Sequence, residues 1–73
     1  MREKIKVILK NILEIDEVPE DISQEKCMEW DSMHHLQIIF QLESDFNVSF
    51  EPEDIIKMIS LNEIEKILNK FQG

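Results

Sequence analysis

Asp31, Ser32, His34 and His35 stand within five positions of one another in the stretch Glu29-Trp30-Asp31-Ser32-Met33-His34-His35-Leu36. They are the residue types of a nucleophile, a base and an orienting acid, and equally of a metal site. Neither chemistry suits the spacing. With a helix starting at Asp31 or Ser32, Asp31 has to orient His35 from its far side while His35 reaches Ser32, which one turn does not naturally allow. No glycine turn for an oxyanion hole lies nearby. On a helix His34 and His35 diverge by about 100°, and no further histidine or paired cysteine completes a ligand set, so no metal is expected. Solvent-facing histidines able to pair with Asp31 are the simpler expectation. A third chemistry is attachment. Asp and Ser are ordinary helix-start residues, and a helix N-terminus offers unpaired N–H groups and the positive end of a dipole, so a phosphate ester on Ser32 is stabilised where it is made.

The chain that positions this stretch is 73 residues long, a single domain over 1–73 near the lower limit for a fold without metal or disulfides, with little room for an enclosed pocket. It is 42% hydrophobic and 33% charged, with one Gly and two Pro, which suits a compact helical module. Ile5, Ile8, Leu9, Ile12 and Leu13 recur at helical spacing until Pro19 bars continuation. An acid-rich loop follows over 14–29, pinned by some of Ile15, Val18, Ile22, Cys27, Met28 and Trp30. The second helix carries Met33, Leu36, Ile38, Ile39, Phe40, Leu42 and Phe46, an apolar arc of roughly 220° that exceeds one core-facing stripe. Leu36, Ile39, Leu42 and Phe46 sit in or beside the middle of the arc; Met33 and Phe40 share the rim below Ser32. Glu51-Pro52-Glu53-Asp54 starts a short helix running to Met58. Ser60-Leu61-Asn62-Glu63 matches a capping box ahead of Leu61, Ile64, Ile67, Leu68 and Phe71. The expected fold is all-α: a four-helix bundle with three longer helices, one short helix and a long loop between the first and second.

The formal net charge is −8, which argues against nucleic acid and anionic membranes as partners, and no apolar run long enough for membrane insertion is present. The bases Arg2, Lys4, Lys6 and Lys10 cluster in the first helix, whereas the acids of 14–31 face only Lys26 along the sequence, a pattern of a solvated loop or of a basic protein partner. The lone Cys27 has no internal disulfide partner, and the cytoplasm is the default compartment.

Asp31-Ser32-Met33, then Leu36, the run Leu42-Glu43-Ser44-Asp45-Phe46-Asn47-Val48-Ser49-Phe50, Glu53-Asp54-Ile55 and a capped last helix together resemble the acyl carrier protein family along nearly the whole chain. The resemblance implies a 4′-phosphopantetheine arm on Ser32, added from coenzyme A by a separate phosphopantetheinyl transferase, so that the chain is a phosphoprotein and a substrate of other enzymes, not itself an enzyme. It implies that Asp31 is the acid flanking the modified serine and that Met33, Gln37, Phe40 and Glu43 lie on the face that partners meet. These partners would be acyl ligase, synthase or acyltransferase enzymes of fatty acid biosynthesis, lipid metabolism or a specialised acyl-transfer pathway, served by a monomer. The resemblance also offers Phe40 a second role, lining a shelter for the acyl chain between the second and third helices opposite Met58. Trp30 stands where carriers of general fatty acid synthesis have Gly, and His34 and Gln37 stand where they have acids, which points to a specialised member. The competing expectation is an acidic helical interaction module that uses the Met33 and Phe40 rim without any cofactor.

Overall fold

The computed structural model describes residues 1–72. Its elements are α1 (Arg2–Leu13), α2 (Ser32–Phe46), α3 (Pro52–Ile55) and α4 (Leu61–Gln72), with α1 packed on α2 and α4. This is the expected all-α bundle with one short member. Periodicity explains the long helices: Ile5, Ile8, Leu9 and Leu13 of α1, Ile38, Ile39 and Leu42 of α2, and Leu61, Ile64, Ile67 and Leu68 of α4 are all buried, joined by Ile22, Trp30, Phe50 and Met58. Local chemistry sets the ends. Asn47 closes α2 in the left-handed region at φ 55°, a conformation its short polar side chain tolerates. Pro52 opens α3, and the Asp54 carboxylate accepts the Glu51 N–H at 3.2 Å. Glu63 N–H donates to Ser60 Oγ at 3.1 Å at the start of α4.

One boundary and one burial assignment differ here from the sequence-based expectation. The α3 helix stops at Ile55 and does not continue to Met58, because the chain turns there and sends Met58 fully into the core. Met28, a candidate loop anchor, is 96% exposed; Ile22 and Trp30 hold the loop instead, with Ile15, Val18 and Cys27 partly buried against them.

The long loop is tied down at both ends of the molecule. An antiparallel bridge between Ser23 and Ser60 is made by Gln24 N–H to the Ile59 carbonyl at 2.8 Å and Leu61 N–H to the Ile22 carbonyl at 3.1 Å. On the other side Glu20 accepts from Arg2 Nε at 2.9 Å and from Lys6, while Arg2 also reaches Glu65 and Asn62 of α4. The loop acids therefore do not face Lys26 alone. Two of the four α1 bases are spent inside the molecule on Glu20, a third, Lys4, sits over the Phe46 ring, and Lys26 pairs with Asp21. This reduces the charge asymmetry that suggested a basic partner.

The hydrogen bond from Lys6, and then that from Arg2, hold the Glu20 carboxyl below the ordinary carboxylate range. A carboxyl whose folded value is depressed contributes stability above its unfolded value and loses that contribution as pH falls through the folded one. Thermal melts of wild type and Glu20→Gln should accordingly differ most near neutral pH, with the gap closing in acid. A gap of constant size down to strongly acidic solution would contradict this account of the loop.

Candidate functional site

Trp30 and Asp31 lead into α2, and each prepares one side of the site. Asp31 is the N-cap: it is extended, at φ −93° and ψ −175°, and its carboxylate accepts the His34 backbone N–H at 2.9 Å. The His34 ring meets the same carboxylate oxygen at 2.7 Å. These contacts, the backbone hydrogen bond first, hold the Asp31 carboxyl below its ordinary value. Capping thus falls to Asp31 alone. Ser32 is the first helical residue, exposed, and its hydroxyl has no hydrogen-bond partner among the described residues.

The two histidines part company. His34 stays at the surface on Asp31, as expected from its spacing. His35 does not face solvent: it is 8% exposed, and both ring nitrogens are occupied. Trp30 Nε1–H donates to His35 Nδ1 at 3.0 Å, and His35 Nε2 lies 2.8 Å from the Ile55 carbonyl at the end of α3. Because a tryptophan N–H only donates and a carbonyl only accepts, the ring is neutral, with Nδ1 bare and its proton on Nε2. The Trp30 and His35 rings also stack, 6.1 Å between centroids at 29°. An imidazole engaged at both ends has no nitrogen left for Ser32, so no nucleophile–base pair is assembled. Among the described residues, no three His, Cys, Asp or Glu side chains gather as a metal site. Cys27 is a partly buried loop thiol whose pKa is raised, first by desolvation and then by its contact with Glu29.

The broad apolar arc of α2 divides in two. His35, Ile38, Ile39 and Leu42 fill a sector of about 100° toward the core. Leu36, Met33 and Phe40 occupy the neighbouring sector and are 49%, 69% and 64% exposed. Leu36, expected near the middle of the core-facing arc, is at the surface. Phe40 does not line an interior space opposite Met58, since it points outward while Met58 is completely enclosed. Gln37 is exposed beside them. Glu43 is half-buried and accepts the Phe50 N–H at 2.9 Å, so its carboxylate organises the chain after α2 rather than standing free for a partner.

Across from Ser32 the surface is completed by residues that carry no recognisable motif. Gln24, Ser32, His35, Leu36, Ile56 and Ile59 line an open cleft of about 360 Å³. Ile56 and Ile59 are 71% and 42% exposed, an unusual amount of large apolar surface for so small a domain. The hydropathy of Ile56 and Ile59 marks them as apolar, but the tertiary ties on either side of them, the His35 bond to the Ile55 carbonyl and the bridge between Ser23 and Ser60, bring them to the serine.

No family model matches the sequence, and no curated protein does. Among solved structures, a protein of Mycobacterium tuberculosis described as "a putative acyl carrier protein" superposes with a TM-score of 0.86 over 96% of each chain, at 18% identity. That likeness establishes a shared helical-bundle fold. No helix of the described residues is long and apolar enough to cross a membrane.

The burial pattern separates the two large aromatics beside the site, Trp30 at 2% and Phe40 at 64% exposure. Trp30→Phe keeps most of the packing but removes the donor to His35 Nδ1, leaving a buried acceptor unpaired at a cost of about 1–3 kcal/mol. Phe40→Ala should leave the urea midpoint nearly unchanged. If Phe40→Ala proves the more destabilising of the two, the outward placement of Phe40 is wrong.

Proposed function

We propose that this chain is an acyl carrier whose Ser32 holds a 4′-phosphopantetheine arm. The observation that carries the reading is an exposed serine hydroxyl without a partner, at the first position of a 15-residue helix whose cap is supplied by the neighbouring Asp31. The Ser32 and Met33 backbone N–H groups likewise lack acceptors among the described residues, and they suit a phosphate ester. The bundle fold shared with a protein described as an acyl carrier adds support. In loading, Ser32 Oγ bonds to the pantetheine-bearing phosphorus of coenzyme A, the bond to the nucleotide phosphate breaks, and 3′,5′-adenosine bisphosphate leaves with the electron pair while a base of the transferase takes the hydroxyl proton. The arm, once attached, supplies a terminal thiol that carries acyl groups as thioesters.

The chain's own part is presentation. Asp31 fixes the start of α2 and so the direction in which Ser32 projects, and Met33, Gln37 and Phe40 offer an exposed face for the transferase and for acyl ligase, synthase or acyltransferase partners. Apart from the Asp31 carboxylate, onto which His34 is turned, that face is apolar and carries no acid next to the serine. Partners of this carrier therefore recognise it through buried apolar area more than through a basic patch. Such a face fits a dedicated acyl-transfer pathway better than general fatty acid synthesis. A cofactor-free interaction module would use the same exposed Met33, Leu36 and Phe40 and would differ at one atom, the Ser32 oxygen.

Intact mass spectrometry after incubation with coenzyme A and a broad-specificity phosphopantetheinyl transferase should reveal one added phosphopantetheine on wild type and none on a Ser32→Ala variant that keeps its helical circular dichroism. An unmodified wild type would favour the interaction module; labelling of Ser32→Ala would move the site elsewhere.

A further inference from the structure

We infer that the Trp30–His35–Ile55 contact closes the seam between α2 and α3 beneath Ser32, so that an acyl group tethered there rests outside, in the cleft of Gln24, Leu36, Ile56 and Ile59. The inference rests on the carrier reading and adds where the cargo lies. His35 is one turn beyond Ser32 and ties α2 directly to the last residue of α3 through the Ile55 carbonyl, 2.8 Å away. Trp30, 2% exposed, fills the space behind the imidazole and is bonded to it at 3.0 Å. Below them Ile39, Met58, Leu61 and Ile64 are between 0% and 1% exposed. An acyl chain that entered here would have to separate His35 from Ile55 and displace Trp30, leaving an imidazole, a carbonyl or an indole N–H buried without a partner.

The outer route has no such cost. The cleft begins at Ser32 itself and is walled by Leu36, Ile56 and Ile59, which are exposed and gain from being covered. Gln24, half-buried at the far wall, has a side-chain amide that can serve a polar substituent or the thioester carbonyl. The cargo class this suits is a short or polar-substituted acyl group, whose thioester stays open to solvent and to partner enzymes. A long saturated chain would find little enclosure here.

The test loads Ser32 enzymatically with acetyl-phosphopantetheine from acetyl-coenzyme A and, separately, octanoyl-phosphopantetheine from octanoyl-coenzyme A, 3′,5′-adenosine bisphosphate leaving in each case. It verifies each product by intact mass and compares amide and methyl NMR shifts together with the emission of Trp30, the single tryptophan. Between the two cargoes, shifts are expected at Leu36, Ile56 and Ile59, with Ile39, Met58 and Ile64 and the Trp30 emission maximum unchanged. Octanoyl-dependent shifts at Ile39, Met58 or Ile64, or a moved Trp30 emission, would overturn the closed seam while leaving the carrier reading intact. Loaded protein in which neither set of residues shifts would overturn the outer cleft. A mass that does not change on attempted loading would overturn the carrier reading and this inference with it.

Discussion

An imidazole occupied at both nitrogens joins three segments that have little else in common. The α3 helix is four residues long and buries none of them fully, so neither helix propensity nor core packing is enough to seat it. The His35 bond to the Ile55 carbonyl supplies that seat, and the Trp30 indole, by donating to the other nitrogen, selects the tautomer able to make it. The approach to α2, the body of α2 and the end of α3 are thereby aligned by one neutral side chain. Everything at the site follows from this alignment: the start of α2 is placed by Trp30 and Asp31, the floor beneath Ser32 is shut, and Ile56 and Ile59 emerge immediately beyond the anchored Ile55.

Around that centre, charge and apolar surface have separate tasks. Arg2 and Lys6 hold Glu20 and keep the long loop against α1, while the bridge between Ser23 and Ser60 holds its other half against the start of α4. Exposed ion pairs contribute little individually, but here they act together with buried Ile22 and the two backbone hydrogen bonds of the bridge. The loop is therefore a fixed wall. Its position is what makes Gln24 one side of the cleft next to Ser32. The apolar arc of α2 is wide because it serves two surfaces, a buried one through His35, Ile38, Ile39 and Leu42 and an open one through Met33, Leu36 and Phe40.

The bundle was legible in the sequence because helical periodicity, Pro52, Asn47 and the Ser60–Glu63 pair report local physics that tertiary context here reinforces. The place of Ser32 at the start of α2 was legible for the same reason, since helix-start residues advertise themselves. The role of His35 was not. Its partner is a backbone carbonyl 20 residues away, and any residue type presents a carbonyl. Trp30 read as a departure from a pattern, with nothing in its type naming His35 as the compensation. Glu43 looked available for a partner because its acceptor role toward Phe50 N–H depends on how the chain turns after Asn47. Nor does periodicity alone tell which half of an arc of roughly 220° will be covered.

The tautomer of His35 tests the central claim most directly, because only one protonation pattern lets a single imidazole accept from Trp30 and donate to Ile55. Long-range ¹H–¹⁵N correlation on uniformly labelled protein at neutral pH should find His35 neutral with its proton on Nε2, and the Trp30 indole proton should exchange slowly with solvent. A proton on Nδ1, or an indole proton that exchanges as fast as that of a surface tryptophan, would mean that the bar between α2 and α3 does not exist and that the floor beneath Ser32 is open.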